Sequence, residues 1–415
     1  MDTVQAGLMP GELAELREAV RSQLSWDNSV SDEELRSIIE QELFRRETTR
    51  GMTANERKSA VNRLFHAFRG LDALQPLLED PEISEIMINA HDEIYIERRG
   101  QLERVNLGFD SIERLENLIQ NIVGKVNRIV NESTPIVDAR LQDGSRVHVV
   151  LPPIALKGPT VTIRRFPQKP LGMQELIANC ALSDEAASFL ELLVKGKYNL
   201  FVSGGTGSGK TTFLNALSQW IPSDERVITI EDSAELQLRG LSNLVALETR
   251  NANSEGKGAI SIRDLIRASL RMRPNRIIVG EVRGAEALDM LQAMNTGHEG
   301  SLSTGHANSA RDMISRLETM VLSGADLPVP VIRQQIASAL DIIVHLSRYR
   351  DASRRVEEIC EVVGVRNGEV ELRTLYRFEE EGERNGRIVG RLIRVAELAD
   401  TGKLRHAGIG KEAAS

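Results

Sequence analysis

Nine residues constrain this 415-residue chain more than any others: GGTGSGKTT, from Gly204 to Thr212. They fit G-x-x-x-x-G-K-[ST], with an apolar run before them (residues 198–203) and a helical segment after them (residues 211–220). Glycines at 204, 207 and 209 let the backbone curl round an anion without Cβ clashes. Backbone amides and the helix N-terminus then turn positive dipole toward phosphates. Lys210 can reach the β- and γ-phosphates, and the Thr211 hydroxyl can ligate Mg²⁺. Average residue usage gives a chance match of this kind in roughly one chain in a hundred of similar length. The expectation is nucleoside triphosphate binding by a domain in which strands alternate with helices around a parallel sheet.

A phosphate cradle alone serves kinases, helicases, GTPases and motors, so other strand ends must discriminate. The strand VITIED ends in Glu231 and Asp232, with Glu235 shortly after, and RIIVGE ends in Glu281. Parallel strands deliver their carboxyl ends to the edge that carries the phosphate loop. Two carboxylates there can divide the work, one polarising the attacking water and the other holding hydrated Mg²⁺. Gly280 stands where many nucleotide hydrolases have an aspartate, which leaves Glu281 with more of the load. Of the two histidines in GHEGSLSTGHANSA, His298 reads as structural. His306 reads as functional, placed to hydrogen-bond the γ-phosphate and report its loss.

Arginines follow the same logic. Arg263, Arg267 and Arg271 share one helix face at i, i+4, i+8, and Arg273, Arg276 and Arg283 come after. Arg263 and Arg267 read as a solvated face, whereas Arg271 and Arg283 are expected at phosphate. Upstream, Arg140 and Arg146 (DARLQDGSRV) and Arg164 and Arg165 (TIRRF) precede a linker. A hinge there could swing guanidinium groups onto bound nucleotide and couple hydrolysis to motion.

The rest of the chain divides by pattern. Residues 1–70 read as three short amphipathic helices, with Leu13, Leu16, Val20 and Leu24 at helical spacing in the first. Capping-box pairs Ser31/Glu34 and Thr53/Glu56 open the other two. Residues 71–166 mix strands with one strong helix, SIERLENLIQNIVGKVNRIV, and residues 167–175, with Pro167, Pro170 and Gly172, form a linker. Residues 176–350 carry the alternating core, and residues 351–415 read as hairpin strands with RNGEV and RNGRIV turns, then a tail. Lys plus Arg is 52 against 60 Asp plus Glu, for a net charge of −8, and aromatics are only 4%; general nucleic-acid binding is therefore disfavoured. The two cysteines, Cys180 and Cys360, have no metal-ligand spacing, which fits a reducing compartment. With neither a signal sequence nor a transmembrane run in view, any membrane association is expected to be through a partner.

Taken in order, GGTGSGKTT, TIEDSAELQL and LRMRPNRIIVGEVRGAEALDMLQAMNTGHEGSLSTGHANSA resemble the secretion-superfamily ATPases of type II secretion, type IV pili and type IV secretion. There these stretches are the Walker A motif, the acidic "Asp box", an atypical Walker B with glycine in place of the acid, and the "His box". The upstream stretches PLLEDPEISEIMINAHDEIYIERRGQLERV, ESTPIVDARLQDGSRVHVVLPP and TIRRF look most like the CpaF-type motor of tight-adherence (Tad/Flp) pili. The resemblance spans about residues 71–349 and, more weakly, the hairpins beyond. It implies an α/β protein: a helical bundle and an α+β (PAS-like) N-terminal domain, then a RecA-like P-loop ATPase domain. It also implies a Mg²⁺-dependent homo-hexamer with ATP in the cleft between domains. By motif position, Gly204, Gly205, Thr206, Gly207, Ser208, Gly209, Lys210, Thr211 and Thr212 bind ATP. Glu231 and Glu235 are Asp-box acids, Glu281 the Walker B glutamate and His306 the His-box residue; Thr211 and, through water, Glu281 serve Mg²⁺. Arg146 and Arg164 match the N-terminal-domain arginines that contact phosphates. The tetracysteine zinc site of type II relatives is absent, which disfavours that branch. The implied work is pilin assembly, extension or retraction, at the cytoplasmic face of the inner membrane through a platform protein, with no direct nucleic-acid contact. A type IV secretion ATPase exporting protein or DNA, and a nucleic-acid translocase or recombinase on the same core, remain open at this point.

Overall fold

The computed structural model describes residues 10–24, 30–46, 49, 51–126, 128–165, 170–252 and 256–409. Its contacts divide the chain into two units, Met1–Gln168 and Lys169–Ser415.

The first unit opens with helices α1 (Pro10–Gln23), α2 (Asp32–Arg45) and α3 (Ala54–Arg69). Both expected capping boxes form: Ser31 and Thr53 accept from the backbone of Glu34 and Glu56, whose carboxylates bond back. Leu16 and Val20 bury against Ile39 and Leu64, while the Leu13 side chain lies outside the described residues. After a short helix, α4 (Gln75–Glu79), come β1 (Ile83–Ala90), β2 (Glu93–Arg98), β3 (Gln101–Val105), α5 (Ile112–Lys125), β4 (Ile136–Arg140), β5 (Arg146–Val150) and β6 (Thr160–Arg164). The antiparallel sheet runs β3-β2-β1-β6-β5-β4, with Leu115, Ile119 and Ile122 of α5 in its core. The stretch DEIYIERRGQLERV is a hairpin, because Arg99 and Gly100 take φ of 51° and 80° and reverse the chain. Arg17 to Asp110 (2.5 Å) and Arg114 to Asp72 (2.6 Å) tie the helices to this α+β layer.

The second unit comprises α6 (Met173–Ala178), α7 (Asp184–Lys195), β7 (Leu200–Gly204), α8 (Lys210–Ser218), β8 (Arg226–Glu231), β9 (Asn243–Glu248), α9 (Ile262–Ser269), β10 (Arg276–Val279), α10 (Glu286–Asn295), β11 (Leu302–Gly305), α11 (Ala310–Gly324), α12 (Val329–Ala339), β12 (Ile342–Arg348), β13 (Arg354–Arg366), β14 (Glu369–Arg384), β15 (Arg387–Arg394) and α13 (Gly402–His406). Part of the expected linker, residues 166–169, lies outside the described residues, and its far end, from Met173, is already helical. The sheet order is β15-β14-β13-β12-β7-β11-β10-β8-β9, parallel from β12 to β9 and antiparallel from β12 to β15. Alternate residues of the buried central strands feed two cores. Val202 packs with α7 and α8 on one face, and Phe201 with α10 and α11 on the other. The C-terminal hairpins extend this same sheet, and both Asn-Gly turns, at Asn367–Gly368 and Asn385–Gly386, have positive φ at each residue.

Candidate functional site

The phosphate loop leaves the buried strand β7 and enters α8 at Lys210. Gly207 and Gly209 take φ of 71° and 94°, the left-handed region that only glycine enters without penalty. At Gly204 (φ 157°) a Cβ would stand 2.5 Å from Ser208 Oγ and press on Leu346 O as well. The curl is thus filled by its own walls, and the glycines are sterically required. Lys210 is nearly buried, its Nζ donating to Gly204 O (3.1 Å) and Gly205 O (2.9 Å) and lying 3.3 Å from His306 Nδ1. Burial lowers its pKa, with Glu281 opposing that shift and Arg283 adding to it.

Strand ends bring the acids to the same edge. Glu281 follows β10, which runs parallel to β11 and β8. One oxygen accepts from Arg283 (2.7 Å), and the other lies 2.8 Å from His306 Nε2, a contact without aligned hydrogen-bond geometry that is ionic only when the imidazole is protonated. Partial burial raises the Glu281 pKa, but the Arg283 hydrogen bond and the nearby cations outweigh it and hold the pKa below the usual range. His306 is held below its ordinary value by burial and by the Lys210 cation. A continuous line therefore runs Lys210–His306–Glu281–Arg283. Thr206, His306 and Arg283 open onto one cleft, together with Asn308, Asp312 and Arg316.

Glu231 behaves differently. It is 4% exposed, and its Oε1 accepts from the backbone of Glu235 (2.9 Å) and Leu236 (3.0 Å). Its Oε2 is buried without a hydrogen-bond partner among the described residues. Desolvation raises its pKa to about 7. A Cβ at position 280 would sit 2.8 Å from Glu231 Cγ, so the glycine on β10's end makes room for the carboxyl from the adjacent strand. Glu235, four residues on, acts both ways: its backbone N–H bond lowers the Glu231 pKa, and the charge of its carboxylate, a smaller effect, raises it. For a divalent cation the donor set fits: a half-buried Thr211 hydroxyl at the first turn of α8, beside a loop whose Gly204 admits no Cβ, with Glu281 on the neighbouring edge.

The arginines separate. Arg283 is at the site. Arg271 is not: the neighbouring Met272 O accepts from Arg226 at the amino-terminal start of β8, the sheet edge opposite the loop. Arg263 and Arg267 both bind the buried Asp289, at 2.6 and 2.9 Å, so this pair anchors α9 to α10. His298 contacts Ala293 O, a local structural bond. In the first unit, register places Arg140 opposite Arg146, and Arg146 opposite Arg164, in one cross-strand row. Like charges so aligned repel, and Arg164 is eased by Glu85 at 3.6 Å. Arg165 points away from this row and donates to Asp80 O and Ile83 O, so its task is to hold its own domain together. Sequence reasoning missed Arg354, whose Nε donates to Gly207 O at 2.8 Å, and His345, buried with Nδ1 2.8 Å from Ser203 Oγ. Neither lies near a motif, and only strand register brings them to the loop.

A glycine cradle at a strand–helix junction, with acids on parallel strand ends beside it, defines a RecA-like P-loop nucleotide-binding domain. The chain belongs to the type II/IV secretion system protein family, whose description matches residues 68–402. A putative conjugal transfer protein of Mycobacterium tuberculosis is 35% identical over 317 residues, which cover 75% of this chain and 89% of that protein. The type IV secretion system protein PtlH of Bordetella pertussis is 35% identical over 332 residues, covering 74% of this chain and 96% of its own. The ATPase DotB of Legionella pneumophila shares the fold, with a TM-score of 0.51 at 22% identity over 69% of this chain and 79% of that one. Among the described residues no helix is long and apolar enough to cross a membrane.

Proposed function

We propose that this chain is a Mg²⁺-dependent ATPase that converts hydrolysis into movement of a macromolecule through a membrane assembly. The observation that carries this reading is the line Lys210–His306–Glu281 at the mouth of the phosphate loop, with a carboxyl of raised pKa, Glu231, on the adjoining strand end. The loop amides of residues 204–212 and Lys210 bind the triphosphate. Water attacks the γ-phosphorus, the bond to the β–γ bridging oxygen breaks, and ADP and phosphate leave. Ionised Glu231 takes the water's proton, and Glu235 keeps its backbone partner in place. Thr211 and, through water, Glu281 would hold Mg²⁺, which would supply neutralisation of charge on the phosphate oxygens. His306, between Lys210 and Glu281, senses the γ-phosphate. The Arg140–Arg146–Arg164 row supplies positive charge for phosphate oxygens, and a homo-hexamer supplies the ring in which hydrolysis becomes motion.

The cargo reading is pilin assembly of a Tad-type pilus by a CpaF-like motor, working at the cytoplasmic face of the inner membrane through platform proteins. The names of the relatives, conjugal transfer and type IV secretion, favour a second reading: export of protein or DNA by a secretion system. The decisive experiment has two parts. Pure wild-type protein hydrolyses ATP and Lys210→Ala does not; retained turnover in the variant removes the phosphate loop from the mechanism. A deletion strain complemented with each form then loses either surface pili or secreted cargo, and that phenotype chooses between the readings.

A further inference from the structure

We propose that the paired strands β12 and β13 position both loops of the nucleotide site, with Arg354 setting the phosphate loop and Glu358 setting the loop that carries His306. The inference rests on the ATPase reading above and adds positioning residues to it. Strand β12 runs beside β7 in a register that puts His345 opposite Ser203 and Leu346 opposite Gly204, so it flanks the start of the phosphate loop. Its antiparallel partner β13 begins at Arg354, opposite Arg348, level with the loop itself. From there Arg354 Nε donates to Gly207 O at 2.8 Å, and its Cδ lies along Gly209. In a trans peptide the carbonyl and the following N–H point opposite ways. Pinning Gly207 O outward therefore turns the Ser208 N–H inward, where it meets Gly205 O at 3.3 Å. The loop's curvature is thus held from outside by one guanidinium.

Four residues further along β13, Glu358 accepts from Ala310 N at 2.9 Å, at the first turn of α11. His345 bridges from below, to Ser203 Oγ at 2.8 Å and to the Asn308 backbone. Residues 306–310 are therefore fastened to the same pair of strands that holds the phosphate loop. Arg354 is exposed, and its bond to Gly207 O adds little to folding, so its contact is placed to shape the loop.

The test uses the full chain, with a fluorescent non-hydrolysable ATP analogue for affinity and ATP turnover at saturation for kcat. Arg354→Ala is expected to raise the analogue Kd about five- to tenfold with kcat within about twofold, and Arg354→Lys to recover most of the affinity. Glu358→Ala is expected to lower kcat about five- to tenfold with Kd within about twofold. Glu358→Gln, whose amide oxygen still accepts, restores it. A split of this kind with an unchanged thermal midpoint supports positioning. Alanine variants that behave as wild type, conservative variants that fail to rescue, or equal losses that track a falling midpoint overturn it. Wild-type protein that does not bind the analogue defeats the ATPase reading and this inference together, whereas binding that is indifferent to both alanine substitutions defeats only the inference.

Discussion

Glu231→Gln separates two consequences of burying a carboxyl beside a nucleotide. Desolvation raises the Glu231 pKa from 4.5 to about 7. Between those values the folded protein holds a proton that the unfolded chain releases, so the folded state binds more protons than the unfolded one. Stability must then fall as pH rises through about 4.5 to 7, and stay level above it. A shift of this size corresponds to roughly 3 kcal/mol lost by pH 8. Glutamine does not ionise, and its oxygen can still accept from Glu235 N and Leu236 N. Its amide nitrogen replaces the unpartnered Oε2, a pH-independent cost of about 1–3 kcal/mol. The pH dependence of the difference is therefore the clean quantity. Relative to wild type, Glu231→Gln should gain about 3 kcal/mol between pH 4.5 and pH 8 in urea unfolding followed by fluorescence and circular dichroism. Turnover supplies the second arm. Wild-type kcat should rise with pH through about 7 as the base ionises. The variant should lose about a hundredfold in kcat or more, with analogue affinity retained. A stability difference that stays flat from pH 5 to pH 8 would refute the burial argument, and near-normal turnover would refute the base.

Glu281→Gln should bind nucleotide but hydrolyse it about a hundredfold more slowly, because the neutral amide cannot replace the charge that faces Arg283 and His306; filter binding and phosphate release check this. Gly280→Ala places a methyl 2.8 Å from Glu231 Cγ, and should cost about 1–3 kcal/mol in urea unfolding while reducing kcat more than affinity. Asp289→Ala strands two arginines that are partly solvated, so a loss of about 1–2 kcal/mol in urea unfolding with unchanged KM is expected.

Much of the second unit was legible because its central strands are continuous apolar runs, and such runs need cover on both faces. Strands β7, β8 and β10 announce themselves in this way. Strand β9 escaped reading: NLVALE is an edge strand, half-solvated and alternating in exposure, and its pairing with β8 is a tertiary fact. The C-terminal hairpins were recognisable from their Asn-Gly turns, yet a hairpin looks the same in sequence whether it stands apart or extends a neighbouring sheet. Lys210, Glu231, Glu281 and His306 could be found because each lies at the carboxyl end of a strand, or one residue into a helix, beside a recognisable motif. Arg271 was misplaced by the opposite mechanism. A one-face stripe of arginines says nothing about which end of the sheet its helix approaches, and the chain re-enters the sheet at β10 from the far edge.

Gly280 shows how a departure from a motif carries its own explanation. With an acid at that position the strand end would present two carboxylates in succession, and the adjacent strand's carboxyl could not lie across it. With glycine, Glu231 packs over the backbone of β10, its pKa rises to about 7, and its second oxygen has no hydrogen-bond partner among the described residues. Glu281, one residue on, is instead kept ionised by Arg283, His306 and Lys210. Two carboxylates on neighbouring strands thus acquire opposite protonation tendencies, one from burial and the other from the cations beside it, and that difference suits one to accept a proton and the other to hold positive charge. The expectation that two carboxylates divide the work, with more of the load on Glu281, gains a physical basis for its proposed division: Gly280 leaves the space that the Glu231 carboxyl occupies.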